Sequence, residues 1–234
     1  MTEPTIVSFP KSGRTWVKFA LAHVGVHPNN THAGSGTGRR EIGKPFQGIP
    51  PHLSELPILF LHRDPIDTAV SLFFHITRKD LRFGSPRYFR MFLPLFIKGR
   101  IPPQEINEFV KSSVYGVERI CKYNRAWIQH LADRQDSLIM TYESIREQPE
   151  NGFHEIFTFL GLDIGKLSSA LEASSFDAMK KVEQSGSKGA MLQQKYARDP
   201  LSAKVRRGKV GGYVDYLGTQ TIEECKSVMV KYGF

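Results

Sequence analysis

Cysteine is nearly absent: the 234 residues hold two, Cys121 and Cys225, far apart and in no CxxC arrangement. That spacing argues against a disulfide framework or a thiolate zinc site, and it fits a reducing compartment. No uninterrupted apolar run approaches the length that spans a bilayer. The opening, MTEPTIVSF, has neither the basic start nor the apolar stretch of a signal peptide. The expectation is a soluble, cytoplasmic protein. Internal repeats, low-complexity tracts and metal-ligand spacings are absent too, so no metal is expected.

What remains is an ordinary globular composition, 40% hydrophobic and 24% charged, in a chain that fits one domain over residues 1–234. Acidic charge is in deficit: 23 Asp and Glu face 32 Lys and Arg, a formal charge of +9. Such a surplus points to an anionic partner, whether nucleic acid, anionic membrane or a phosphorylated small molecule, or only to a soluble basic surface. The basic residues are dispersed and match no nucleic-acid module, so no nucleic-acid partner is expected.

Thr5–Phe9 is a short β-branched and aromatic run that ends at Pro10, and Thr15–Val26 follows with helical spacing of Trp16, Phe19, Ala20 and Val24. Residues 27–51, rich in Gly, Pro, Asn and Thr, read as mostly loop. Pro57–His62 is a continuous apolar run suited to a buried parallel strand, and Asp64-Pro65 opens a helix to about Thr77. A helix near Val114–Leu131 precedes a strand at Ser137–Thr141. Helices follow at Pro149–Leu160, Lys166–Glu172 and Thr221–Lys231. Strands alternating with helices predict an α/β fold with a central parallel sheet flanked by helices.

The stretch Phe9-Pro10-Lys11-Ser12-Gly13-Arg14-Thr15-Trp16 joins a strand to a helix through a tight turn. There, successive backbone N–H groups and a helix N-terminus converge into an anion site. Lys11 adds charge, Ser12 and Thr15 add hydroxyl donors, and Gly13 permits close approach; the plain alternative is a surface turn. The order of residues is not that of the nucleotide-binding GxxxxGK[ST] loop, since the lysine precedes the glycine.

This octamer resembles the phosphate loop of the PAPS-dependent sulfotransferases, whose members carry PKSGTTW where this chain reads PKSGRTW. The resemblance implies a P-loop-nucleotide-kinase-like fold. Its donor would be 3′-phosphoadenosine 5′-phosphosulfate (PAPS) and its product 3′,5′-ADP (PAP). Lys11, Ser12, Gly13, Arg14 and Thr15 would hold the 5′-phosphate side, and Trp16 would stack on adenine. Arg14 departs from the family threonine, and its side chain either adds charge at the phosphosulfate or points to solvent.

A second match, Arg63-Asp64-Pro65-Ile66-Asp67 with Ser71, follows the strand PILFLH and resembles the family's R-[DN]-P-x-D-x-x-x-S. An arginine at the carboxyl edge of a sheet, with a serine about two helical turns later, suits a phosphate. The resemblance assigns both to the 3′-phosphate. Otherwise Arg63 would pair with Asp67 capping the helix, and Ser71 would be an exposed hydroxyl. Later blocks also match: SLIMTYE, FTFLGL, Ser174–Lys180 and Arg206–Gly212. They imply that Tyr142, Ser175 and Phe176 line the nucleoside and that Arg206, Arg207 and Gly208 reach the 3′-phosphate. Tyr142 reads equally as a core aromatic, and Gly212-Tyr213 replaces the family's Asp-Trp.

Sulfuryl transfer to a hydroxyl needs a general base, for which histidine is suited, and a cation at the leaving oxygen, for which Lys11 serves. Among eight histidines, His32 in Thr31-His32 fits the family's base position, and Glu41 and His52 are the alternatives. His62, on a buried strand, reads as structural. Residues 78–100 mix cations with aromatics and prolines. They are expected to form an acceptor lid, or a membrane-surface contact presenting a lipid-linked acceptor. Residues 185–210 are expected to form a mobile loop that closes over the donor. The acceptor class is a small-molecule, glycan or lipid hydroxyl. The competing functions are a kinase-like phosphotransferase and a non-catalytic nucleotide-binding protein.

Overall fold

The apolar runs Thr5–Ser8 (β1) and Ile58–His62 (β3) lie side by side in a parallel sheet. Asn29–Thr31 (β2) pairs with the other edge of β1, and Ser137–Thr141 (β4) with the far edge of β3, giving the order β2-β1-β3-β4 with every pair parallel. The structure, a computed structural model, describes residues 3–36, 46, 48–80, 101–185, 192, 205 and 208–234. The parallel α/β architecture predicted from the sequence is the one observed.

Strand alternation divides the core into two layers. Val7, Ile58 and Phe60 point to one face, where they pack with Ile66, Val70, Ile120, Tyr123 and Trp127. Ile6, Leu59 and Leu61 point to the other, against Val17, Leu21, Phe153, Ile156 and Phe157. Both faces are covered by helices, so the central strand β3 reads as a nearly unbroken apolar run. Burying each such side chain contributes about 2 kcal/mol.

The helices follow local signals. Helix Pro65–Phe74 starts on Asp64, whose carboxylate accepts the Asp67 N–H at 2.8 Å, with Pro65 at the first helical position. Beyond Phe74 the helix widens into a π-helical stretch, His75–Asp80. Helix Tyr142–Glu147 is capped by Thr141, which accepts the Ser144 N–H at 2.9 Å.

The segment read as loop, residues 27–51, contains β2. Its three residues are polar and lie at the sheet edge, held by backbone pairing with β1 and not by apolar burial, so no hydrophobic pattern marks them. Helices Ile106–Lys111 and Phe176–Ser185 were also unanticipated. Residues 81–100 of the expected lid, and most of 185–210, lie outside the described residues.

The strand order places the binding crevice. From β1 the chain passes to β2 on one side, then crosses to β3 on the other. A crevice therefore opens beyond the carboxyl ends of β1 and β3, where ligands of open parallel sheets bind. The turn 9–16 leaves β1 at this point, and Arg63 directly follows β3.

Candidate active site

After β1, Lys11 adopts φ 78° and Gly13 φ 94°, two left-handed residues that turn the chain sharply into helix Arg14–His23. A non-glycine residue held there costs on the order of 1 kcal/mol, a strain typical of ligand-binding loops. Gly13 meets a second demand: a Cβ on it would lie 2.5 Å from Cδ2 of Tyr142. As N-cap, Gly13 supplies no side-chain hydrogen bond. The Trp16 N–H already donates to the Gly13 carbonyl at 2.8 Å, so it is the amides of Arg14 and Thr15, ahead of it in the first turn, that suit an anion.

The crevice is a cavity of about 840 Å³. From the turn, Lys11, Gly13, Arg14, Thr15 and Trp16 line it. Ser12 is buried beneath them, its hydroxyl without a hydrogen-bond partner among the described residues. Among the described residues, Asp67 is the one carboxylate in a lining that also contains Arg63, Arg146 and Lys209. The site is thus strongly cationic.

One end is aromatic. Trp16 makes edge contacts with Tyr142 at 6.0 Å and Phe153 at 5.3 Å, and the Arg146 guanidinium stands 6.0 Å from the Trp16 ring. Phe176 lines the same region, and a Cβ on Gly208 would lie 3.1 Å from its ring. Tyr142 is at once buried and cavity-lining. Burial raises its phenol pKa, while Arg63, 4.5 Å from the ring centroid, opposes the rise. Ser175 does not line the cavity; its hydroxyl accepts the Ala178 N–H at 3.4 Å at the start of helix Phe176–Ser185. Its neighbour Ser174 lines the cavity instead.

At the other end Arg63 donates through Nη2 to Asp67 Oδ2 at 3.2 Å and to the Lys209 carbonyl at 3.1 Å. Its Nε is buried without a hydrogen-bond partner among the described residues, with Glu143 Oε1 at 4.0 Å. Asp67 also accepts the amides of Gly211 at 2.8 Å and Tyr213 at 3.1 Å. The ion pair anticipated for Arg63 therefore coexists with a place in the cavity, and Ser71 lines the same wall. Arg206 and Arg207 lie outside the described residues. Lys209 belongs to the late block Arg206–Gly212 matched from the sequence, whereas Arg146 was not singled out, because nothing local marks a surface cation as facing a distant cavity.

His32 stands just beyond β2. Its Nδ1 lies 2.7 Å from the Ser8 carbonyl, which can only accept, so Nδ1 carries the proton. Nε2 is then the acceptor, and it takes a hydrogen bond from Arg14 Nη2 at 2.7 Å. Burial, with Arg14 next in weight, pushes the imidazole down to about 4, so it is neutral at pH 7. Burial also lowers Arg14 to about 10, and its Nη1 has no hydrogen-bond partner among the described residues. Glu41 lies outside the described residues. His52 sits on the short helix Pro51–Ser54 and is not in the cavity lining, whereas His75, one of the eight histidines but not among the favoured bases, lines it. His62 stacks on Phe60 at 5.7 Å and is lowered to about 4 by burial, in keeping with a structural role.

A strained strand-to-helix loop, a cationic crevice at the switch point and an aromatic end make this an α/β protein whose crevice suits a phosphate-like anion. The sulfotransferase domain family matches residues 39–231, and the chain belongs to that family. It is 25% identical to cytosolic sulfotransferase 13 of Arabidopsis thaliana over 256 aligned positions, covering 94% of this chain and 73% of that protein. To sulfotransferase 2B1 of Rattus norvegicus it is 27% identical over 129 residues, 54% of this chain and 33% of the relative, so that match spans about a third of the rat protein. Among solved structures, mouse sulfotransferase SULT7A1 complexed with PAP superposes with a TM-score of 0.64 at 20% identity, covering 99% of this chain and 84% of that one. Retinol dehydratase complexed with androsterone and inactive cofactor PAP gives 0.62 at 15% identity, covering 98% and 80%. These likenesses show the fold. Among the described residues no helix is long and apolar enough to cross a membrane.

Proposed function

We propose that the chain transfers a sulfuryl group from PAPS to a hydroxyl of a small-molecule, glycan or lipid acceptor. One observation carries this reading. Three buried donors, the Ser12 hydroxyl, Arg14 Nη1 and Arg63 Nε, have no hydrogen-bond partner among the described residues, and both arginines line one cavity. Unpaired buried donors are costly, and an anion with more than one phosphate-like group would satisfy them together. PAPS, when bound, supplies a sulfuryl group on a phosphate leaving group.

In this reading Lys11, Ser12, Gly13, Arg14 and Thr15 hold the 5′ side, and Trp16 and Phe176 flank the adenine beside Tyr142. Arg63 and Ser71, joined by Arg206, Arg207 and Gly208, hold the 3′-phosphate. His32 accepts the acceptor's hydroxyl proton at Nε2, the nitrogen left unprotonated by its bond to Ser8. Lys11 keeps a positive charge where negative charge grows on the leaving oxygen, an interaction that strengthens toward the transition state.

Calorimetry with 3′,5′-ADP and 5′-AMP tests the assignment. An added phosphate held by charge-assisted hydrogen bonds should tighten binding about tenfold or more. Equal affinities would overturn it. Thermal stabilisation by ATP with Mg²⁺ in place of 3′,5′-ADP would favour a kinase-like phosphotransferase. Stabilisation by 3′,5′-ADP without transfer from labelled PAPS to any of a panel of phenols, steroids, glycans and lipids would favour a non-catalytic binding protein.

A further inference from the structure

The residue that departs from the family loop is the one that occupies the proposed base. We infer that Arg14 is a positioning residue that gates His32: it holds the Nε2 lone pair when no anion lies in the loop, and releases it when the donor's phosphosulfate draws the guanidinium away. This inference rests on the sulfotransferase reading for its ligand, and on the geometry of the free protein for its closed state.

The closed state follows from hydrogen-bond accounting. Ser8 O fixes the proton on Nδ1, so Nε2 offers a single lone pair, and Arg14 Nη2 fills it at 2.7 Å. A guanidinium cannot surrender its proton to make room. Protonating Nε2 in place would set two cations in contact. Transfer of an acceptor's proton to His32 therefore requires Arg14 to leave.

The pull for that departure is on the same side chain. Arg14 is the first residue of the helix that follows the phosphate loop, and it lines the cavity. Its Nη1 is buried with no hydrogen-bond partner among the described residues, so half the fork is already unsatisfied. A neutral imidazole gives the guanidinium one uncharged acceptor; a phosphosulfate offers charged oxygens in the forked geometry that arginine matches best. The threonine usual at this position could not reach across in this way.

The groups that act on His32 are Arg14 and Lys18 from the helix, Lys11 from the loop and the Ser8 carbonyl from β1. Lys18 is held to Asn30 Oδ1 at 3.3 Å, whereas Arg14 touches the imidazole directly at 2.7 Å. The gate thus predicts a coupling between loop occupancy and the basicity of one histidine.

The test is a histidine ¹⁵N NMR titration of the wild type and Arg14→Thr, each free and saturated with 3′,5′-ADP plus inorganic sulfate, with His32→Gln to assign the signal. In the free wild type Nε2 should resist protonation. In free Arg14→Thr the His32 pKa should rise by about one unit or more, as loss of an adjacent cation predicts. Ligand should raise it further in the wild type than in the variant. Identical His32 titrations in free wild type and free Arg14→Thr, or identical ligand-induced shifts in the two proteins, would overturn the gate. Calorimetry on the same samples separates the two failures. Absence of 3′,5′-ADP binding sinks the sulfotransferase reading, whereas normal binding with no differential shift sinks the gate alone. Arg14→Lys, which keeps the charge without the fork, should restore wild-type affinity more than wild-type titration.

Discussion

Arg63 Nη2 and Asp67 Oδ2 stand 3.2 Å apart, and the same Asp67 carboxylate accepts the amides of Gly211 and Tyr213. A single buried carboxylate thus orients the arginine that follows β3 and fastens the C-terminal glycine turn beside it.

Asp67→Ala should therefore damage both stability and binding. Removing one partner of a buried pair costs about 3 kcal/mol or more, and here two amides lose their acceptor as well. Urea denaturation should show the loss, and calorimetry should show weaker 3′,5′-ADP binding. Asp67→Asn, which retains an acceptor, should fall between wild type and Ala. An Ala variant with wild-type stability would contradict the anchoring role.

His32 and Lys11 should separate kinetically. His32→Ala should abolish transfer while leaving 3′,5′-ADP affinity within a few-fold, since Nε2 serves the acceptor. Lys11→Ala should lower kcat about a hundredfold and nucleotide affinity much less, because its contact strengthens as charge develops. Near-normal turnover in His32→Ala would move the search to Glu41 and to His75.

Gly13→Ala should disrupt the loop through two routes. The φ of 94° disfavours any side chain, and the new Cβ would collide with Tyr142. Thermal melting should show destabilisation of about 1–3 kcal/mol. In a Tyr142→Ala background the same substitution should cost less, since the collision is gone and only the backbone strain remains. Equal costs in both backgrounds would show that the ring contact does not matter.

Stability should decline as the solution is acidified. His32 and His62 are each held down to about 4, so between about pH 6.5 and 4 the unfolded chain binds their protons first and is favoured. Each adds a slope of about 1.4 kcal/mol per pH unit in that window. Asp64 works the other way. Burial raises it to about 6, so its contribution is present at low pH and is lost as pH rises through that value, offsetting one histidine. His62→Gln should thus flatten the decline measured by denaturation at several pH values. A curve parallel to the wild type would remove His62 from the account.

The sequence by itself determined the alternating strands and helices and the two loops that face the crevice. Pro57–His62 announces a buried strand by composition, and Pro10–Trp16 and Arg63–Ser71 carry their turn, cap and charge within a few residues, so local physics suffices. Only the tertiary structure decided what those residues meet. The polar β2 exists because β1 offers it a backbone edge, not because of any apolar pattern of its own. Arg14 reaches His32 across 18 residues, and Asp67 reaches Gly211 across 144. Such contacts depend on which strands pair and where the chain crosses the sheet. A guanidinium can point to solvent, to a phosphate or to an imidazole with the same local sequence, and the choice here is made by β2 bringing His32 beside the first turn of the helix.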